Sequence, residues 1–222
     1  YLSDLPVKVS VSELKKRSWH GEDDREEALF SEPDIVPLVP DFVSGGNEEY
    51  KGAARGTAYH RLMECLDYMA VDSESQIQKQ ITALTEAKKM AYEEAQCIRI
   101  QDIMMFLHSE IGQRMKKAFE ADQLYREQPF VLAQSMKNIE KGWNGEETVL
   151  VQGIIDAYFI EDEEIVLVDY KTDRVRKGEE QHLIDLYHTQ LEDYAQALER
   201  MLQKKVKETY IYSFTLGKMI PV

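Results

Sequence analysis

The chain has 222 residues, 43% of them hydrophobic and 31% charged, which is enough for one globular domain with a sizeable core or a core plus a helical appendage. No apolar run approaches the roughly 20 residues a membrane-spanning helix needs, the start has no signal-peptide pattern, and two cysteines exclude a disulfide framework. A net charge of −14 argues against a protein that coats nucleic acid through many phosphate contacts, though not against an enzyme that gathers carboxylates around cations.

Residues 1–50 read as an irregular lead-in arm. Val9 to Leu14 starts a short helix with Ser10 or Ser12 as its cap. The acidic stretch from Gly21 to Asp41 holds Pro33, Pro37 and Pro40 and is expected to be extended or partly disordered. Gly45, Gly46 and Asn47 mark a turn. From Gly56 to about Tyr68 the spacing of Tyr59, Leu62, Met63 and Leu66 predicts an amphipathic helix. The Gly-poor region from Ser75 to Phe119 reads as three helices, one with Ile103, Phe106 and Leu107 on its apolar face.

After Asp122 the character changes. Leu124–Gln134, Thr148–Ile160 and Ile165–Lys171 are rich in Val, Ile, Tyr and Phe and predict three antiparallel strands. Lys141 to Gly145 turns between the first two, and Glu161 to Glu164 between the second and third. A helix is expected from about Glu180 to Gln203, with Leu186, Leu191, Tyr194, Ala195 and Leu198 on or near its buried side, and a last strand from Glu208 to Thr215. The fold class is therefore α/β in the broad sense (α+β), a mostly antiparallel or mixed central sheet flanked by helices. Its helical part covers about 56–120 and its sheet-containing core about 124–216. Cys65 and Cys97 fit buried free thiols in a reducing cytoplasm.

The chemistry concentrates in the second hairpin. If the turn pairs Ile160 with Ile165, the same register sets Asp156 opposite Asp169, with Cβ atoms roughly 4.5–5.5 Å apart. Lys171 lies two residues beyond Asp169 and points to the same face. Opposed like charges destabilise a sheet, and the apolar flanks suggest partial burial. A hard divalent cation would offset the repulsion, with a nearby ammonium helping; an ion-pair cluster of Asp169 and Lys171 on a solvated face is the plainer alternative. On the first clear helix His60 and Glu64 face the same way one turn apart, as an imidazole ligand with its neighbour or as ordinary packed residues. Gln190 and Tyr194 repeat that spacing, offering an amide and a phenol to a phosphate or to water, or simply packing. Glu127 suits an outer metal ligand or a surface charge equally.

Together these blocks have a family likeness. Gly56-x-x-x-His60-x-x-Met-Glu64, Arg126-Glu-x-Pro-Phe130, Gly153-Ile-Ile-Asp156, Asp169-Tyr-Lys-Thr172 and Gln190-x-x-x-Tyr194 resemble, in order and spacing, the RecB-like branch of the PD-(D/E)xK nuclease superfamily. The likeness runs from about residue 52 to 215 and is nearest to the nuclease domains of bacterial helicase–nucleases, so residues 51–222 would form the nuclease domain.

The resemblance implies a restriction-endonuclease-like core with a helical insertion. It implies His60, Asp156, Asp169 and the backbone carbonyl of Tyr170 as ligands of Mg²⁺, with room for Mn²⁺ given the imidazole. Lys171 would be the catalytic lysine, with Gln190 and Tyr194 in support. The reaction would be hydrolysis of DNA phosphodiesters in the cytoplasm, on single strands delivered by a helicase motor during recombinational break repair. The motor would lie elsewhere in the parent polypeptide, since no Gly-x-x-x-x-Gly-Lys-Ser/Thr loop is present here. The chain opens at Tyr1 without an initiator Met, as a fragment would. A second helicase–nuclease polypeptide is the expected partner, forming a heterodimer. Related nucleases bind an iron–sulfur cluster through four cysteines, which this chain cannot supply. Without the resemblance, the same carboxylates also suit a small phosphoester hydrolase, and the fold a non-catalytic module docking on DNA or protein.

Overall fold

A computed structural model describes residues 8–11, 48–139 and 146–222. The expected arm at 12–47, with its acidic stretch and glycine turn, lies outside the described residues, as does the turn at 141–145.

Strand β1 (Lys8–Ser10) precedes helix α1 (Glu48–Cys65), which begins upstream of the predicted start at Gly56 and stops three residues earlier. Its end is fixed by Asp67, whose carboxylate accepts the Met69 N–H. Then come α2 (Glu74–Glu86), the single turn α3 (Tyr92–Ala95), α4 (Ile100–His108) and α5 (Glu110–Glu120), four helices where the sequence predicts three. Ser73 caps α2 in a reciprocal box with Gln76, and Ser109 caps α5. The sheet-forming part runs β2 (Leu124–Ser135), α6 (Met136–Ile139), β3 (Thr148–Glu161), β4 (Glu164–Lys171), α7 (Glu180–Leu202), β5 (Val206–Ser213) and β6 (Lys218–Pro221).

β2, β3 and β4 form the predicted antiparallel meander, with Ile160 paired to Ile165. β5 then lies parallel to β4, a pairing that needs the long crossover through α7. β6 returns antiparallel to β5, and β1 adds a parallel pairing to β3. The sheet is therefore mixed. β1 and β6 do not stand out in the sequence, being three and four residues long and, for β6, ending on Pro221.

Two apolar layers cover the sheet. On one side α1, α2, α4 and α5 pack over Ala157, Phe159, Val166, Val168, Tyr170 and Tyr212. Phe106 of α4 lies at the middle of this layer, within 6.0 Å of the rings of Tyr170, Tyr212 and Phe214. On the other side α7 buries Leu183, Tyr187, Leu191, Tyr194, Ala197 and Leu198 against Ile155, Ile165, Leu167 and Ile211. Each fully buried aliphatic or aromatic side chain contributes about 1.5–3 kcal/mol by removal from water, so the two layers fix where α1 and α7 stand. Cys65 and Cys97 are free thiols, half-buried at the margin of the helical layer rather than fully buried as expected. Among the described residues no helix is long and apolar enough to cross a membrane.

Candidate active site

The site forms where β2 and β3 change face together. Toward the hairpin turn Ala157 and Phe159 face the α1–α5 layer and Tyr158 faces α7; further back Val151 and Ile155 face α7. β2 switches at the same level. Arg126 lies over the rings of Tyr68 and Phe119 on the helical side, whereas Phe130 packs on the α7 side. The register sets Glu127 opposite Asp156, yet neither makes a ladder pair. Glu127 takes a φ of 49°, the left-handed region that a side chain seldom adopts inside a strand. The switch takes both carboxylates out of the regular alternation and brings them to the His60 imidazole on α1.

The geometry converges there. His60 Nδ1 lies 3.3 Å from Asp156 Oδ1 and 3.9 Å from Glu127 Oε1, while His60 Nε2 lies 3.1 Å from the carbonyl oxygen of Tyr170. Three donor atoms, one each from His60, Glu127 and Asp156, fall within 4.8 Å of one another. The other oxygen of Asp156 accepts the Tyr170 N–H at 2.8 Å. This bond stands in place of the direct Asp156–Asp169 cross-strand pairing expected from the sequence. The β3–β4 ladder keeps the predicted register but ends at Ala157 and Val168, one step short of the two aspartates. Two opposed buried carboxylates would repel, and a backbone N–H is a better neighbour for one of them.

Asp169 is fully buried. Its Oδ1 accepts from the Gln190 amide at 3.3 Å, and that same amide nitrogen donates to the Tyr194 hydroxyl at 3.0 Å. Its Oδ2 has the Lys171 ammonium at 2.5 Å and no further hydrogen bond among the described residues. The ammonium in turn sits 4.2 Å from the centre of the Tyr187 ring, a cation–π contact. Gly153 makes the α7 side possible. A Cβ there would lie 2.7 Å from the Phe130 ring and 3.2 Å from the Tyr194 ring, so only glycine lets Tyr194 approach β3 this closely.

The electrostatics follow from burying several charges at one point. Burial opposes the His60 imidazolium, but the Asp156 carboxylate outweighs it and raises its pKa. Burial likewise works against ionised Asp156, and His60, Lys171 and the Tyr170 N–H together hold it below the ordinary carboxylate value. Asp169 is raised, first by burial and then by repulsion from Asp156, which outweigh Lys171. Lys171 is raised in spite of burial because two carboxylates surround it. Glu127 is pushed up to about 7 by burial and by Asp156. A hard divalent cation fits this donor set. It would meet carboxylate oxygens and one imidazole, and would relieve the crowding that raises Glu127.

This arrangement has a counterpart among known proteins. A family model described as the PD-(D/E)XK nuclease superfamily matches residues 39–218. The chain belongs to that superfamily. Its mixed sheet between helical layers is the fold expected of such a nuclease. Relatives named as the larger chains of ATP-dependent helicase/nucleases match nearly the whole of it. The helicase/nuclease protein of Alkaliphilus metalliredigens is 40% identical over 216 residues, covering 96% of this chain and 17% of the relative. That of Clostridium perfringens (strain SM101) is 34% identical over 232 residues, 99% of this chain and 18% of the relative. That of Syntrophomonas wolfei is 32% identical over 222 residues, 99% and 17%. The chain thus spans less than a fifth of the length of these curated relatives.

Measured against the superfamily motif, His60, Asp156, Asp169, the Tyr170 carbonyl, Lys171, Gln190 and Tyr194 all meet at one place. The compact set of metal-capable donors, however, is His60, Asp156 and Glu127. Asp169 stands behind it, engaged by Lys171 and Gln190. Glu64 turns away to an ion pair with Arg61. Tyr187 has no prominence in the sequence, although its spacing of three residues before Gln190 and seven before Tyr194 places it on the same face of α7.

Proposed function

We propose that residues 51–222 form a metal-dependent nuclease domain that hydrolyses phosphodiester bonds of single-stranded DNA, as the cleaving part of a larger helicase–nuclease. The carrying observation is the meeting of His60, Asp156, Asp169 and Lys171 in a chain of the PD-(D/E)XK superfamily. The names of the relatives and the small share of their length covered here support a helicase in the same polypeptide. Recombinational break repair, a cytoplasmic location and a heterodimeric partner belong to this reading as well.

His60, Asp156, Asp169 and the Tyr170 carbonyl would hold Mg²⁺, or Mn²⁺, with Glu127 at the edge of the set. When bound, such an ion supplies Lewis acidity toward a phosphoryl oxygen and lowers the pKa of water. The chain's own groups do the rest. Asp169 and the Tyr187 ring orient the Lys171 ammonium, which offsets negative charge developing on the phosphorus oxygens and positions the attacking water. Gln190 fixes Asp169 and, with Tyr194, steadies the phosphate side. The α1 and α7 layers exclude water from the back of the site.

The test is cleavage of a labelled single-stranded oligonucleotide in Mg²⁺, Mn²⁺ or EDTA by the parent chain, Lys171→Ala and Asp169→Ala. Cleavage that needs metal and vanishes in both variants is the expected result. Cleavage that survives both substitutions would place the active site elsewhere, and hydrolysis of nucleotide monoesters without DNA cleavage would select a small-phosphoester hydrolase.

A further inference from the structure

The acidic chain has to admit a polyanion to a cluster of carboxylates, and the segment that follows the catalytic strand is the place where its charge reverses. Between positions 171 and 177 stand Lys171, Arg174, Arg176 and Lys177 against the single carboxylate of Asp173. This segment is tethered rather than loose. The Arg55 guanidinium and the Thr215 hydroxyl both donate to the Thr172 carbonyl at 3.1 Å. Tyr187 donates its hydroxyl to Asp173 at 2.9 Å, which occupies the segment's own acid. Val175 packs into the α7-side core. With residues 172, 173 and 175 held inward, Arg174, Arg176 and Lys177 are left on the exposed side.

The neighbouring acids are engaged in turn. Glu179 accepts the Arg176 backbone N–H at 3.1 Å, and Glu180 pairs with Lys218 at 3.1 Å. The side chains of Arg176 and Lys177 make no ion pair among the described residues. Six residues of chain reach at most about 20 Å, so Lys177 cannot stand farther than that from Lys171, within the span of a few nucleotides.

We propose that Arg174, Arg176 and Lys177 form a basic rail that binds the sugar–phosphate backbone of a single strand next to the scissile phosphate. The proposal rests on the nuclease reading for its substrate class. The rail supplies the local attraction that the net charge of the chain denies, and its tethering to Thr172 keeps it in register with Lys171. Because the contacts are to phosphate, they carry affinity and strand placement but no base preference.

The experiment is fluorescence anisotropy of a fluorescein-labelled oligothymidylate in EDTA, titrated with the chain over a series of salt concentrations. The Arg176→Gln/Lys177→Gln double variant is compared with the parent and with Lys88→Gln/Lys89→Gln, which removes equal charge from an exposed turn of the helical part. Each phosphate contact to a single strand contributes about 0.7 to the slope of log affinity against log salt, so losing two makes the slope shallower by about 1.4. That change is expected in the rail variant alone, with KM for cleavage raised, kcat near the parent value and melting temperature unchanged. Equal slopes in parent and rail variant, the same loss in the Lys88/Lys89 variant, or no binding by the parent would overturn the rail. Failure of the parent to cleave with any metal would count against the nuclease reading, while the binding series would still decide the rail.

Discussion

The β3–β4 hairpin has two ends built on opposite terms. At the turn end, Ala157 to Ile160 pair with Ile165 to Val168 in an apolar ladder, closed by Arg114, which pairs with Glu161 at 2.7 Å and Glu208 at 2.6 Å. Every charge there has an opposite partner at the water's edge. At the other end the ladder opens and buried carboxylates meet with too few cations to balance them. The same two strands thus hold the sheet together at one end and store unfavourable electrostatics at the other. A site able to take a cation requires such an imbalance; a site built only for stability would have removed it.

The largest effect should come from cancelling the imbalance. Asp169→Asn with Lys171→Met removes the buried pair without leaving a lone charge. Cleavage should fall by about 10²–10³ or more, the scale of losing a preorganised electrostatic group, while thermal stability stays level or rises. A melting temperature many degrees lower would mean that the pair is a structural element after all and would break the comparison. Next is the metal itself. Mn²⁺ at about 100 times its Kd should stabilise the parent by about 2.7 kcal/mol, measured as a shift in thermal unfolding. Asp156→Asn should lose most of that shift. An equal shift in the variant would remove Asp156 from the cation site.

Gly153→Ala sharpens the comparison at the packing level. The added methyl group meets the Phe130 and Tyr194 rings, and such overpacking costs about 1–3 kcal/mol. Displacement of Tyr194 should also disturb the Gln190 bond to Asp169 and lower kcat. Adding Phe130→Leu makes room and should recover both stability and kcat. No recovery would mean that Gly153 serves something other than the approach of Tyr194.

The two ends were not equally legible in the sequence. Strand content, the Ile160–Ile165 register and the α7 boundaries follow from local alternation and periodicity, which depend only on neighbours. The shared face of His60, Asp156, Lys171, Gln190 and Tyr194 was readable through motif order. The site's geometry was not, because it depends on β2 and β3 switching faces at Glu127 and Asp156, and alternation rules assume no switch. That is why the aspartates are not a ladder pair and why Glu127 joins the donor set. β1 and β6 escaped because short strands owe their pairing to distant partners. Tyr187 escaped because its role under Lys171 is a contact between α7 and β4.

The smallest effect should appear at the turn end, as a dependence of stability on pH. The Arg114 and Lys207 partners hold Glu161 at about 2, against an ordinary value of 4.5. A carboxylate depressed by folding binds fewer protons in the native state than in the unfolded one. Its contribution is therefore complete above about pH 4.5 and is lost as the pH falls through the window toward 2. Solvent reaches Glu161, so the contribution should not exceed about 1 kcal/mol. Glu161→Gln should lower the melting temperature slightly at neutral pH and not near pH 2, so the parent and variant curves converge on acidification. Parallel curves would show that Arg114 is held by Glu208 alone and that the balanced end rests on its apolar ladder.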